Sequence, residues 1–550
     1  MLEGTVPYKK KDIKKYRSKR WWLGLTLGDM FDKATDLYPK KEAVVDEKSR
    51  YTFGQLREKV DRLAIALLNQ GIKPGDSVMI QLPNWAEFMY TYYAIQKIGG
   101  ICLVLVPRHS TSEIGHLAKL IDAKGWVLPW KYRKIEYPPI IEEVKKDNPQ
   151  LTHIIIAGQD VPSGRVGLED IIQQVNLQDV KPGVFDQFRP DPGDICTILP
   201  TGGTTGFPKA VPRTHESYIN NGEYLARAWE LNTRDSCLVM TPVGHNLAVV
   251  VDVMGCIFSC AKMVLLDSAQ PEDFCAMVEK EKVTCTALVP VLVTRILGYE
   301  GLKKHNLSSL RMVYAGGQHS PSEIVRDLKV KLGCQYVNGF GMCEGPLTQT
   351  RLDDPDDVIE TTIGIRCSPY DDIKIMNEKG KVLLPGKDGE LVAKGPGIFT
   401  GYLKADAENA KAFTRAGYFR TGDMARIDKN GNVIITGRIK DIIIRGGENI
   451  SAVEVEEALV RHPDVEQASA VGMPDKEMGE KVCAYIKTKG GKTLTLDQVV
   501  QFLKQNRVSV LNIPERIEHI DVFPLTKAEK IDKKVLREDI KKKLQGEGKL

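Results

Sequence analysis

The residues best able to do chemistry in this chain lie in one short stretch, 199–209, which reads Leu-Pro-Thr-Gly-Gly-Thr-Thr-Gly-Phe-Pro-Lys. Gly202, Gly203 and Gly206 can take positive φ and let backbone N–H groups approach an anion closely. Thr201, Thr204 and Thr205 add hydroxyl donors, and Lys209 adds a point charge. The set suits a polyphosphate, and it also describes an ordinary Gly/Thr-rich hairpin loop. It is not a Walker loop. No Gly-Lys-Ser/Thr follows at the required distance, and Pro208 opposes a helix opening there. A GTPase or mononucleotide kinase is therefore disfavoured.

Other constellations each have a structural reading beside a chemical one. Asn338-Gly339-Phe340-Gly341-Met342-Cys343-Glu344-Gly345 sets a carboxylate in a glycine turn after a strand. No partner base is evident for Cys343, so it is not read as a thiolate nucleophile. Gly417 to Asp423 ends on a carboxylate that also suits a turn or a cap. His245-Asn246 precedes an apolar tract, where a packed, hydrogen-bonded core pair is by itself the better account. Gly316 and Gly317, with Gln318, close a short apolar strand, and glycines there let backbone come close to a ligand. The lysine-rich tail 524–533 reads on its own as a solvated face.

Taken together and in this order, the motifs resemble those of the adenylate-forming superfamily: acyl- and aryl-CoA ligases, adenylation domains of peptide synthetases, and luciferases. The likeness runs along nearly the whole chain. It implies ATP and Mg²⁺ as cofactors, with Thr201 to Gly206 and Lys209 on the phosphates and Thr201, Glu344 and Lys530 catalytic. Glu344 would hold Mg²⁺, and Phe340 would stack on adenine between Gly339 and Gly341. Asp423 would take the ribose hydroxyls, with Arg438 as a second contact. Lys440 falls at the hinge of a mobile C-terminal domain, and Gly447 beside the tunnel for coenzyme A. The frame Pro524-x-Thr526-x-x-x-Lys530-Ile531 singles out Lys530, although Ala528-Glu529 stand where the family usually has Ser-Gly. His245, Asn246, Gly316, Gly317, Gln318, Met342 and Cys343 would line the acid pocket. His245-Asn246 is similar to the pair in 2,3-dihydroxybenzoate–AMP ligases, where the Asn faces the ring's ortho hydroxyl. Leu247 departs from the aromatic residue usual next. That departure points to a drier pocket, for a less polar ring or alicycle such as benzoate or cyclohexanecarboxylate. The resemblance thus implies an AMP-forming acid–thiol ligase acting on an aromatic or cyclic carboxylic acid, with coenzyme A as acceptor. The alternative is a free-standing aryl-AMP ligase loading a carrier protein in siderophore-type biosynthesis.

These residues need a framework, and the hydrophobic pattern supplies one. Five hundred and fifty residues exceed what one core accommodates. Residues 25–71 read as largely helical with a new element at Tyr51-Thr52-Phe53, followed by a strand over 77–82 and a helix over 85–101. Strands and helices then alternate through Val104, Trp126 and Ile154, the rhythm of stacked α/β layers. A strand–loop–strand carries the phosphate motif, then a helix over 215–229 and a strand over 237–241. The tract 247–266, broken by Asp252 and Lys262, reads as a buried helix and a strand rather than a membrane span. Beyond Lys440 a strand over 442–444, the glycine segment 445–449, a helix over 453–461, strands near 468–471 and 482–486 and a helix near 496–504 make a small α+β unit. The expected fold is therefore α/β, with a large multi-layer domain, 1–439, and a small α+β domain, 440–550, which the resemblance implies is mobile. A net charge of +5 suits a small anionic ligand and gives no sign of nucleic acid binding. Eleven scattered cysteines without zinc spacing fit reduced thiols in a cytoplasmic monomer or homodimer. The N-terminal lysines (Lys9, Lys10, Lys11, Lys14, Lys15) lack a signal peptide's apolar core and read as a surface arm.

Overall fold

Short apolar runs such as Ser77–Ile80, Ile101–Val104 and Gly125–Pro129 are buried along their whole length. Parallel strands covered on both faces require this. The structure, a computed structural model, describes residues 2–201, 207–316, 322–446, 448–506, 508–526 and 530–550. These three runs belong to a seven-stranded sheet in the order 209–214, 195–201, 101–104, 77–80, 125–129, 153–157, 166–167. A nine-stranded sheet runs 365–366, 347–349, 335–341, 312–316, 285–288, 236–239, 262–265, 42–45, 50–52. Its strands from 335–341 to 42–45 all pair in parallel. Between the sheets lies the helix Ala86–Lys97, buried at every position except Glu87. A helix apolar all round belongs in such a sandwich. Its residues join Val44, Ile80, Val104, Val239 and Met263 in one continuous core.

A four-stranded antiparallel sheet (Asp372–Met376, Gly389–Lys394, Phe419–Ile427, Val433–Arg438) follows. From Ile442 onward the chain builds a five-stranded sheet with the helices Ala452–Val460, Leu496–Gln505 and Lys533–Gly546. It has apolar clusters of its own, around Val455 and Val499 and around Tyr485 and Ile540.

Two expectations change. Residues 25–71 are not helical throughout, because strands Glu42–Val45 and Arg50–Thr52 sit between the helices Leu27–Leu37 and Phe53–Asn69. Runs of three or four residues are too short to show a period. The N-terminal arm keeps its lysines exposed but is anchored. Tyr16 and Trp22 are buried, and Trp22 Nε1 donates to Pro396 O at 3.0 Å. The 247–266 tract is a wide helical turn, Leu247–Val253, then the helix Met254–Ser259 and the strand Lys262–Leu265. Among the described residues no helix is long and apolar enough to cross a membrane.

Candidate active site

Two parallel strands of the large sheet end where the glycine motifs begin. Met312–Gly316 and Gln335–Gly341 pair in register, with Gly316 opposite Gly339. A side chain at Gly339 would meet the Tyr314 ring at 2.2 Å, so only glycine leaves that ring in place. Ligands of open α/β sheets bind beyond such carboxyl ends. Phe340 is partly buried, against the cluster formed by Ile375, Leu391, Ala425 and Val433. The phosphate motif is carried by the antiparallel pair Ile195–Thr201 and Lys209–Thr214, with Thr201 opposite Lys209. Gly202, Gly203, Thr204, Thr205 and Gly206 lie outside the described residues, as do Gly317, Gln318 and Gly447.

Glu344 is buried, and burial pushes its carboxyl up against the opposing pull of Lys209 and Arg213. Tyr402 OH donates to its Oε1 at 2.7 Å. Gly345 follows at φ 112°, and a Cβ there would sit 2.0 Å from Gly397 O. The turn that presents Glu344 therefore demands glycine. Arg213 ties this turn down: its guanidinium donates to Cys343 O at 2.8 Å, Asn221 Oδ1 at 2.6 Å and Gly397 O at 2.8 Å. Among the described residues no cluster of three or more His, Cys, Asp or Glu could hold a metal ion. One buried carboxylate fits Mg²⁺, which keeps few protein ligands and takes the rest from water and substrate phosphates.

Asp423 and Arg438 lie directly opposite each other across an antiparallel pair of consecutive strands. Arg438 Nε donates to Asp423 Oδ1 at 2.9 Å, whereas the buried Oδ2 has no partner. Burial raises this carboxyl, with Arg438 and Lys530 pulling the other way. An orphaned buried acceptor is costly unless a donor arrives, and a sugar hydroxyl is such a donor. Lys530 approaches the same place from the C-terminal region. Its N–H donates to Thr526 Oγ1 at 3.2 Å and its carbonyl accepts from Thr526 N–H at 2.7 Å. Its ammonium is pulled down to about 8, first by burial and then by Arg438, against Asp423.

Burial, then Lys530 and His109, push His245 down to about 4, so the imidazole is neutral. Its Nδ1 accepts from Leu247 N–H at 3.2 Å. Cys343 is pushed up to about 12, chiefly by burial, and stays a neutral thiol. Asn246 is buried and already engaged: Tyr218 OH donates to Oδ1 at 2.8 Å, and Nδ2 makes a long 3.4 Å bond to Met342 O. The amide can thus offer its second N–H to a substrate, while its oxygen already accepts from Tyr218. Asn246→Ala is expected to cost an ortho-hydroxylated aryl acid about 1–3 kcal/mol more than a plain cyclic acid. Pyrophosphate-exchange kinetics on both acids check this. Stranding Tyr218 burdens both acids alike, so only the ratio counts, and an unchanged ratio would make Asn246 structural.

Sequence reasoning did not single out Arg213, Tyr402 or Tyr218. Arg213 follows the phosphate motif closely and is a lone charge between apolar residues and a helix cap, which was its available signal. Tyr402 and Tyr218 carried none.

Residues 31–403 match the model of the AMP-binding enzymes, and residues 454–530 that of the AMP-binding enzyme C-terminal domain. The 2,3-dihydroxybenzoate-AMP ligase of Bacillus subtilis is 33% identical over 546 residues, 99% of both chains. A salicylyl-CoA synthase / salicylate adenylyltransferase of Streptomyces is 34% identical over 543 residues, 98% of both. The apo structure of Mycobacterium smegmatis MbtA superposes with a TM-score of 0.74 at 32% identity, covering 98% of this chain and 99% of that one. The chain belongs to the AMP-binding, adenylate-forming enzymes, near their 2,3-dihydroxybenzoate–AMP ligase branch.

Proposed function

We propose that this protein is an ATP-dependent acid–CoA ligase that activates an aromatic or cyclic carboxylate as its acyl-AMP and passes it to coenzyme A. The observation that carries the reading is the placing of Lys530, which shares one electrostatic neighbourhood with Asp423, Arg438, Cys343 and His245. A lysine between a ribose acceptor and an acid pocket can offset charge as a carboxylate attacks the α-phosphorus. The attack forms the carboxylate O–P bond and breaks the bond to pyrophosphate. Asp423 Oδ2 accepts from ribose and orients the nucleotide. Neutral His245 and Cys343 leave the acid's ring uncharged surroundings. Glu344 would hold Mg²⁺, which when bound offsets charge on the leaving pyrophosphate. Residues 440–550 would then turn about Lys440, withdrawing Lys530 and admitting a thiol past Gly447.

Turnover is expected to yield AMP and pyrophosphate, since the glycine loop is not a Walker loop. Separating nucleotides after reaction with a panel of aryl and cyclic acids checks it, and ADP as the main product would overturn the assignment. The acceptor has a second reading. The Bacillus relative is named an AMP ligase and the Streptomyces relative a CoA synthase. Mass detection of thioester after adding coenzyme A or a carrier protein decides between the two acceptors.

A further inference from the structure

Tyr402 lies outside every motif that carries the reading above, yet it touches two of them. Its hydroxyl donates to Glu344 Oε1 at 2.7 Å, and the Lys209 ammonium sits 4.0 Å from its ring centroid. The tyrosine is itself held. Asn409 Oδ1 accepts from Tyr402 N–H at 2.7 Å and Asn409 Nδ2 donates to Tyr402 O at 2.8 Å. The next residue, Leu403, donates its N–H to Ala210 O at 3.0 Å, beside Lys209. Phe399 N–H donates to Glu344 O at 2.8 Å, so the segment also grips the backbone of the Glu344 turn.

We propose that Tyr402 is the positioning residue that sets the phosphate-loop lysine and the metal-binding carboxylate at a fixed separation. The phenol occupies one Glu344 oxygen and fixes its rotamer, leaving the other oxygen for the cation. The ring face holds the Lys209 ammonium beside it by cation–π attraction. Without the hydroxyl the carboxylate would be free to turn away from the cation, while the ring would still hold Lys209 for the phosphates. Hydrogen bonds that orient a metal-binding side chain commonly govern metal affinity. This role rests on the nucleotide reading of Glu344.

The test is equilibrium binding of a non-hydrolysable ATP analogue to the full-length protein, with Mg²⁺ and with EDTA. Tyr402→Phe keeps the ring and loses only the hydroxyl. It is expected to lower the Mg²⁺ enhancement of binding about 10-fold or more, with metal-free binding within about 2-fold of wild type. Tyr402→Leu removes the ring as well and is expected to weaken metal-free binding too. Thermal unfolding confirms that each variant is folded. Equal loss with and without Mg²⁺ in Tyr402→Phe would show a merely structural tyrosine and overturn the proposal, as would no loss in either. Absence of any Mg²⁺ enhancement in the wild-type protein would instead remove the Glu344 assignment on which the proposal stands.

Discussion

Lys530→Ala is expected to lose acyl-AMP formation by about 10³-fold or more, or about 4 kcal/mol of transition-state stabilisation. It should still convert supplied acyl-AMP and thiol into thioester. The asymmetry follows from what the ammonium does. In the first step negative charge gathers on the α-phosphate, and a fixed cation in a partly dehydrated site opposes it strongly. In the second step that space must be clear for the thiol. Burial and Arg438 hold the ammonium near 8, so the first half-reaction should also fall as pH rises through that value. Below it the charged form prevails. Lys530→Arg, which stays charged, should lose this alkaline limb whatever its absolute rate. Pyrophosphate exchange and acyl-AMP consumption, measured separately across pH, check these expectations. Equal damage to both half-reactions would make Lys530 a structural lysine.

Lys440→Pro should separate the two steps by constraining the hinge. Ile439–Asp441 form a single tight turn between the strands Val433–Arg438 and Ile442–Arg445. Arg537 grips it from the last helix, donating to Asp441 Oδ1 at 2.6 Å and to the Lys440 carbonyl at 3.4 Å. The structure has Lys530 beside Asp423 and Arg438, where the first step would need it, and the φ range of a tight turn is one that proline's ring accepts. Proline also narrows Ile439, so rotation is restricted at two successive residues. A burst of pyrophosphate should survive on mixing with ATP and acid, while thioester turnover falls about 100-fold or more. Lys440→Ala, which leaves the backbone free, should retain far more of that turnover. Unchanged turnover in both half-reactions of the proline variant would show that the position is no hinge.

The chemistry of this protein is legible in its sequence because the relevant groups lie in short, contiguous motifs whose composition already limits what they can do. Three glycines and three threonines beside Lys209 make an anion site or a loop whatever surrounds them. The α/β rhythm is legible for the same local reason, since apolar runs buried along their whole length need no partner to be recognised. What tertiary structure decided is how groups distant in the chain meet. Asp423 and Arg438 become neighbours only through strand register, and Lys530 joins them only through the fold of the C-terminal region. Asn246, read as a hydroxyl sensor, has its oxygen claimed by Tyr218 from a preceding helix. Arg213 and Tyr402 gain their roles from carbonyls and a carboxylate more than fifty positions away. No spacing rule reports such contacts, because burial and hydrogen bonding between distant segments follow from packing rather than from period.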